Sequence, residues 1–191
     1  MSVIPRPIGQ ARTVLELFEH AVTTHAASVA FRRKKQAEHG LWKYGEVHEY
    51  VRRFSGALLD LGVARGERVV ILSDNRPEWG VAFFSIISVG AVAVPLDRMQ
   101  PRQEIVRLLA ESNARLVVAP AAFSRALLDV LEEVPAVKHI LSMEEPRGQG
   151  RLIGHEELQE RGVKSGRTYQ EVDVSPDDLV VIAATSGTTP P

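Results

Sequence analysis

The 191-residue chain contains no cysteine, which excludes a disulfide framework, a thiolate zinc site and a cysteine nucleophile. It also lacks an excess of either charge. Its 23 basic and 24 acidic residues leave a formal net charge of −1, whereas a nucleic-acid binder needs a clustered basic surface. No apolar run reaches membrane-spanning length, and the opening MSVIPRPIGQ has no apolar core of a secretory signal. The G-x-x-x-x-G-K-[ST] loop of P-loop NTPases, the G-x-G-x-x-G of nicotinamide Rossmann domains and the G-x-S-x-G elbow of serine hydrolases are all missing. His20, His25, His39, His48, His139 and His155 form no H-x-H or H-E-x-x-H pair, so no metal ligands are expected. What is present is a globular composition, 45% apolar and 25% charged, as in a cytoplasmic α/β domain.

The periodicity gives the order of elements. Residues 13–62 read as a helix–hairpin–helix entry. Thr13 with Glu16 has capping-box spacing, and Val14, Leu17, Phe18, Ala21 and Val22 share a helical face. VAFRRK (29–34) and LWKY (41–44) suit a hairpin around Gly40. The basic run Arg32–Lys35 reads as its solvated turn. Val47, Tyr50, Val51, Phe54, Leu58 and Leu61 then mark a second amphipathic helix stopped by Gly62. Across 63–142 the apolar runs VVIL (69–72), AVAVPL (91–96), RLVVA (115–119) and KHIL (138–141) alternate with helical patterns. In the first helix Asn75 and Glu78 offer a capping box, with Pro77 in the first turn. Its stripe Trp79, Phe83 and Ile87 reads as core. This alternation predicts βαβ units, a mostly parallel sheet with helices on both faces. Residues 143–178 read as a loop-rich connection holding a short helix at 153–162. Residues 179–191 read as a last strand, LVVIAA (179–184), running into a loop.

That loop, Thr185-Ser186-Gly187-Thr188-Thr189, is the segment most suggestive of chemistry. A hydroxyl-rich loop after a strand suits phosphate, because a glycine allows a tight turn, N–H groups converge on an oxyanion and hydroxyls add donors. Read alone, the same five residues also suit a plain surface turn.

Three segments together resemble the AMP-forming, adenylate-forming ligases. LWKYGEVHEYVRRFSGALLDLGVARGERVVILSDNRPEW (41–79) is similar to their first shared stretch and SVGAVAVPLD (88–97), followed by Pro101, to their second. DDLVVIAATSGTT (177–189) is similar to the opening of their phosphate signature T-S-G-T-T-G-x-P-K-G. Within that superfamily, Ser73–Trp79 is most similar to long-chain fatty acyl-CoA synthetases. The resemblance implies a large-subdomain α/β fold and a two-step reaction: a carboxylate attacks the α-phosphate of Mg-ATP, and the thiol of coenzyme A then displaces AMP. ATP, Mg2+ and coenzyme A would be its cofactors and a fatty acid its substrate, with contact to a membrane surface compatible. Thr185, Ser186, Gly187, Thr188 and Thr189 would hold the ATP phosphates.

The match departs at its end. Where the signature continues with Gly and Pro-Lys-Gly, this chain reads Pro190-Pro191. Pro190 has no N–H and biases Thr189 toward extended conformations, and the signature lysine is missing. The later segments for the acyl pocket, ribose and Mg2+ and the adenylation lysine are likewise missing. The expectation is therefore an N-terminal fragment, an incomplete AMP-binding unit over 1–191. It should be inactive alone and expose sheet edge and apolar surface. Alternatives are a ligase for a medium-chain, aryl or amino acid, or a non-catalytic α/β binding module.

Overall fold

The computed structural model describes residues 8–33, 40–144 and 147–183. The entry helix α1 (Val14–His25) starts at Thr13, whose side-chain oxygen accepts the Glu16 N–H at 3.0 Å. It leads into the antiparallel hairpin β1 (Val29–Arg32) and β2 (Leu41–Lys43). Helix α2 (Tyr44–Asp60) begins earlier than its apolar pattern suggests. Tyr44, expected as strand, opens the helix, and the Glu46 carboxylate accepts the Lys43 N–H at 2.8 Å. Gly62 closes α2 at φ +76°, a conformation that costs glycine nothing.

Five parallel strands follow: β3 (Arg68–Leu72), β4 (Val92–Leu96), β5 (Leu116–Ala119), β6 (His139–Ser142) and β7 (Leu152–Ile153), in the order β4-β3-β5-β6-β7. Between them run α3 (Pro77–Ser88), α4 (Arg102–Ser112) and α5 (Ala121–Val130), and α6 (His155–Ser165) comes last. Alternation along β3 divides the core. Val69 and Ile71 pack with α2, α3 and α6, whereas Val70 and Leu72 pack with α4 and α5. The chain turns one way from β3 to β4 and the other way from β4 to β5. A single crossover hand therefore puts α3 and α4 on opposite faces.

The expectation of a parallel sheet covered on both faces holds, and four further details differ. Asn75 does not cap α3. Arg76 occupies that position at φ −155° without a side-chain cap bond, because the residue before Pro77 is pushed out of the helical region. The stripe on α3 divides: Ile87 is buried, while Trp79 and Phe83 stack at 5.4 Å and line an open groove with Phe31 and Phe84. Strand β7 occupies positions read as the end of a loop and the start of a helix, so α6 begins two residues later than expected. Two strand residues are too few to show a period. Finally, 179–184 does not form the expected buried strand within the described residues. Val181 makes one parallel bridge to Ala93, and Leu179 and Val181 are 58% and 39% exposed. Among the described residues no strand pairs with its outer side, and an apolar segment paired on one side only gains little by extending the pairing.

Helices α2 and α6 approach closely through two glycines. A Cβ on Gly56 would lie 3.0 Å from the Gly162 and Arg167 carbonyl oxygens, and one on Gly162 would overlap the Arg53 carbonyl. The connection after α6 is fastened by a half-buried polar cluster around the buried Tyr169. The Tyr169 hydroxyl donates to Glu19, and His48 Nε2 lies 2.9 Å from the Tyr169 oxygen and 3.5 Å from Glu19 Oε2. Burial works against a charged Glu19, but the hydrogen bonds from His48 and Tyr169 outweigh it and hold that carboxyl below its ordinary value. Burial, reinforced by Glu19, pushes the Tyr169 phenol up.

Two outcomes follow. Gly162→Ala, which would gain about 1 kcal/mol in an exposed helix, should instead destabilise by roughly 1–3 kcal/mol through overpacking, read by urea denaturation. Because the folded Glu19 is the stronger acid, its contribution is present above the ordinary carboxylate value of 4.5 and fades as pH falls through the folded value. Glu19→Gln should make the loss of thermal stability below that pH shallower, whereas Tyr169→Phe should cost about 1 kcal/mol at neutral pH.

Candidate functional site

Open parallel sheets take ligands at the carboxyl ends of their strands, near the point where strand order reverses. In this sheet that point lies between β3 and β5. The segments leaving the carboxyl edge are Ser73–Arg76 after β3, Asp97–Gln100 after β4, Pro120 after β5 and Met143–Glu144 after β6. An ion-pair network lies at this edge. Arg76 Nε lies 3.0 Å from Glu78 Oε2, and the Arg76 guanidinium also pairs with Glu144. Arg33 reaches Glu78 at 3.1 Å and Glu144 at 3.9 Å, and the Ala121 N–H donates to Glu144 at 3.1 Å. Burial opposes charge on Glu144, but Arg76 and the Ala121 N–H win and hold its carboxyl below the ordinary range. Burial likewise opposes charge on Arg76, yet its two carboxylates push the guanidinium pKa up. The network joins the hairpin, the start of α3 and the end of β6.

At the opposite edge, the last described segment is held by backbone and charge. Arg65 pairs with Asp178 at 2.5 Å. The Ala93 N–H donates to the Val180 carbonyl at 2.9 Å, and the Ile182 N–H to the Ala93 carbonyl at 3.0 Å. The segment therefore runs parallel to β4, and at Ala183 the chain heads toward the carboxyl edge of the sheet. The expected phosphate-loop residues Thr185, Ser186, Gly187, Thr188 and Thr189 lie outside the described residues. Their geometry forms no part of the site as described. Sequence reasoning missed the Arg33–Glu78–Arg76–Glu144 network. The Arg32–Lys35 run was visible, but nothing local marks Glu144, 111 positions from Arg33 (144 − 33), as its partner.

Among the described residues no group of three or more histidine, aspartate or glutamate side chains could hold a metal ion. Near the carboxyl edge Asp97 accepts the Met99 N–H at 2.8 Å and Asp74 faces Arg98 at 3.8 Å. These donors do not form a ligand set for Mg2+. Among the same residues no helix is long and apolar enough to cross a membrane.

Comparison with known proteins agrees with this architecture. The model of the AMP-binding enzyme family matches residues 18–190, and the chain belongs to that family of adenylate-forming enzymes. It is 30% identical over 149 residues to the long-chain-fatty-acid–CoA ligase FadD13 of Mycobacterium tuberculosis, covering 76% of this chain and 27% of that protein. It is also 30% identical over 147 residues to a 3-hydroxybenzoate–CoA ligase of an Aromatoleum species, with the same 76% and 27% coverage. The fold matches the anthranilate CoA ligase AuaEII, solved with anthranoyl-AMP, at a TM-score of 0.76 and 21% identity, over 92% of this chain and 32% of that one. It matches the long-chain-fatty-acid–CoA ligase FadD1 of Archaeoglobus fulgidus at 0.77 and 19%, over 93% and 35%. The chain thus spans about a quarter of the length of these two curated ligases.

Removing the central cation of the network tests its role. Arg76, with a side chain only 9% exposed, separates two carboxylates that would otherwise face each other. Arg76→Ala should cost roughly 3 kcal/mol, measured by urea denaturation at neutral pH.

Proposed function

We propose that residues 1–191 form the amino-terminal part of one adenylation unit, in an enzyme that joins a carboxylic acid to coenzyme A at the expense of ATP. The observation that carries this reading is the segment before the loop. It runs parallel to β4 toward the ligand-binding edge of the sheet, and the next residues in sequence are Thr185–Thr189. In the first step a carboxylate oxygen bonds to the α-phosphorus of ATP while the bond to the bridging oxygen of the departing pyrophosphate breaks. In the second, the coenzyme A sulfur takes the acyl carbon and AMP leaves with its phosphate oxygen.

Two anions meet in the first step, so fixed donors on the triphosphate lower the barrier. Hydroxyls of Thr185, Ser186, Thr188 and Thr189 and the N–H groups around Gly187 are donors of that kind, holding the β- and γ-phosphates. Pro190 adds none, because it lacks an amide hydrogen. Mg2+ enters with ATP as part of the substrate.

A long-chain fatty acid is the acid we assign. Support comes from the Ser73–Trp79 run and from the similarity to two long-chain ligases. An aryl acid is the second reading, favoured by the equal identity and coverage of the 3-hydroxybenzoate ligase.

The 191-residue polypeptide alone should give no acid-dependent ATP–pyrophosphate exchange, and exchange from it would overturn the partial-unit reading. A polypeptide that carries this chain together with the rest of an adenylation unit should exchange with palmitate, and Thr188→Ala should lower that rate by about a hundredfold. Exchange with 3-hydroxybenzoate in place of palmitate would transfer the assignment to aryl acids.

A further inference from the structure

The approaches to β3, to β4 and to the segment at 179–183 meet at the amino edge of the sheet. Gly90 precedes Ala93 by as many positions as Asp178 precedes its bridge partner Val181. The Gly66 N–H, in the approach to β3, donates to the Gly90 carbonyl at 2.7 Å. Arg65 spans this level. A Cβ on Gly90 would lie 3.1 Å from Arg65 Cγ, so the missing side chain lets the arginine stem lie against the Gly90 backbone. Its guanidinium ends 2.5 Å from Asp178 Oδ1. Asp178 is held in turn: its Oδ2 accepts the Ser175 N–H at 3.0 Å, and its own N–H donates to the Ser175 carbonyl at 3.1 Å. The hydrogen bond from Arg65, helped by the Ser175 N–H, keeps the Asp178 carboxyl below its ordinary value. Asp173 also favours the charge on Arg65.

Little else fixes the register of this segment. None of residues 179–183 is buried, and among the described residues its backbone bonds to β4 are the two at Ala93. A slip of two positions would keep each side chain on its own face and remake both bonds from other residues. It would also move the chain entering Thr185 by about 7 Å along the sheet. The ion pair would not survive that slip, because Pro176 and Val180 stand two positions either side of Asp178 and neither carries a carboxylate. Asp177 could replace Asp178 only in a slip of one, which turns every side chain to the opposite face. That would remove Ile182 from the core on the α4 side, against which it packs. The Arg65–Asp178 contact therefore distinguishes registers that the backbone bonds do not.

We propose that Arg65 and Asp178 are a positioning pair for the adenylation step: they fix the register of 179–183 on β4, and so the place at which Thr185–Thr189 meets the ATP phosphates. This rests on the reading of those five residues as the phosphate loop. The pair acts through the segment and touches no substrate. A misplacement of about 1 Å can cost on the order of a hundredfold in rate, so enzyme in a slipped register does not contribute to turnover.

Two measurements test the pair. In the 191-residue polypeptide, amide hydrogen exchange followed by NMR should be about tenfold faster at Ile182 and Ala93 in Arg65→Ala than in wild type, with Val69–Leu72 unchanged. The second uses a polypeptide that carries this chain together with the rest of an adenylation unit. There Arg65→Ala should lower kcat/KM for ATP in pyrophosphate exchange about tenfold and leave KM for the acid, palmitate or 3-hydroxybenzoate, unchanged. Asp178→Ala should do the same, the double variant should be no worse than either single one, and Arg65→Lys should recover most of the rate. Unchanged hydrogen exchange at Ile182, kinetic losses that multiply in the double variant, or equal losses toward ATP and the acid (the mark of a folding defect) overturn the proposal. A wild type that exchanges pyrophosphate with no acid overturns the adenylation reading and the kinetic role with it. Hydrogen exchange at Ile182 then still decides whether the pair sets the register.

Discussion

Strand β3 has no solvent-facing side. Val69, Val70, Ile71 and Leu72 are all fully buried, so both faces of the sheet must be covered before this strand is stable in water. That requirement places α2, α3 and α6 on one side and α4 and α5 on the other. It also gives β3 a neighbour on each edge, and the reversal of strand order beside it sets the crevice.

Polar chemistry then concentrates at the margins of this apolar centre. Arg33, Arg76, Glu78 and Glu144 neutralise one another at the carboxyl edge, where bare charges would be costly to bury. The Glu19–His48–Tyr169 cluster does similar work beneath the connection after α6, satisfying a phenol that is only 3% exposed. The edge segment at 179–183 is tied by backbone hydrogen bonds and the Arg65–Asp178 pair more than by burial. The position of the chain entering the expected phosphate loop is thus set by directional contacts.

Much of the fold was legible because its signals are local. Thr13 and Glu16 marked the start of α1, Gly62 the end of α2, and the runs at 69–72, 91–96, 115–119 and 138–141 the strands. The failures share a cause. Asn75 and Glu78 have the right spacing for a cap, but Pro77 moves the helix start and two arginines claim the glutamate. Gly162 looks like an unremarkable helix position until the Arg53 carbonyl lies where a side chain would be. Of the candidate site, the loop Thr185–Thr189 was readable as a motif, whereas the network at the switch point was not.

Period, capping and apolar content belong to the sequence itself, since each depends on residues within a few positions of one another. They determined the α/β class, the alternation and the family resemblance. Pairing between Arg33 and Glu144, contact between Glu19 and Tyr169, and the near-contact of Gly56 with Gly162 depend on which helix lies on which face. Only the tertiary structure decided those, because burying β3 on both sides brings together residues that no local interaction links along the chain.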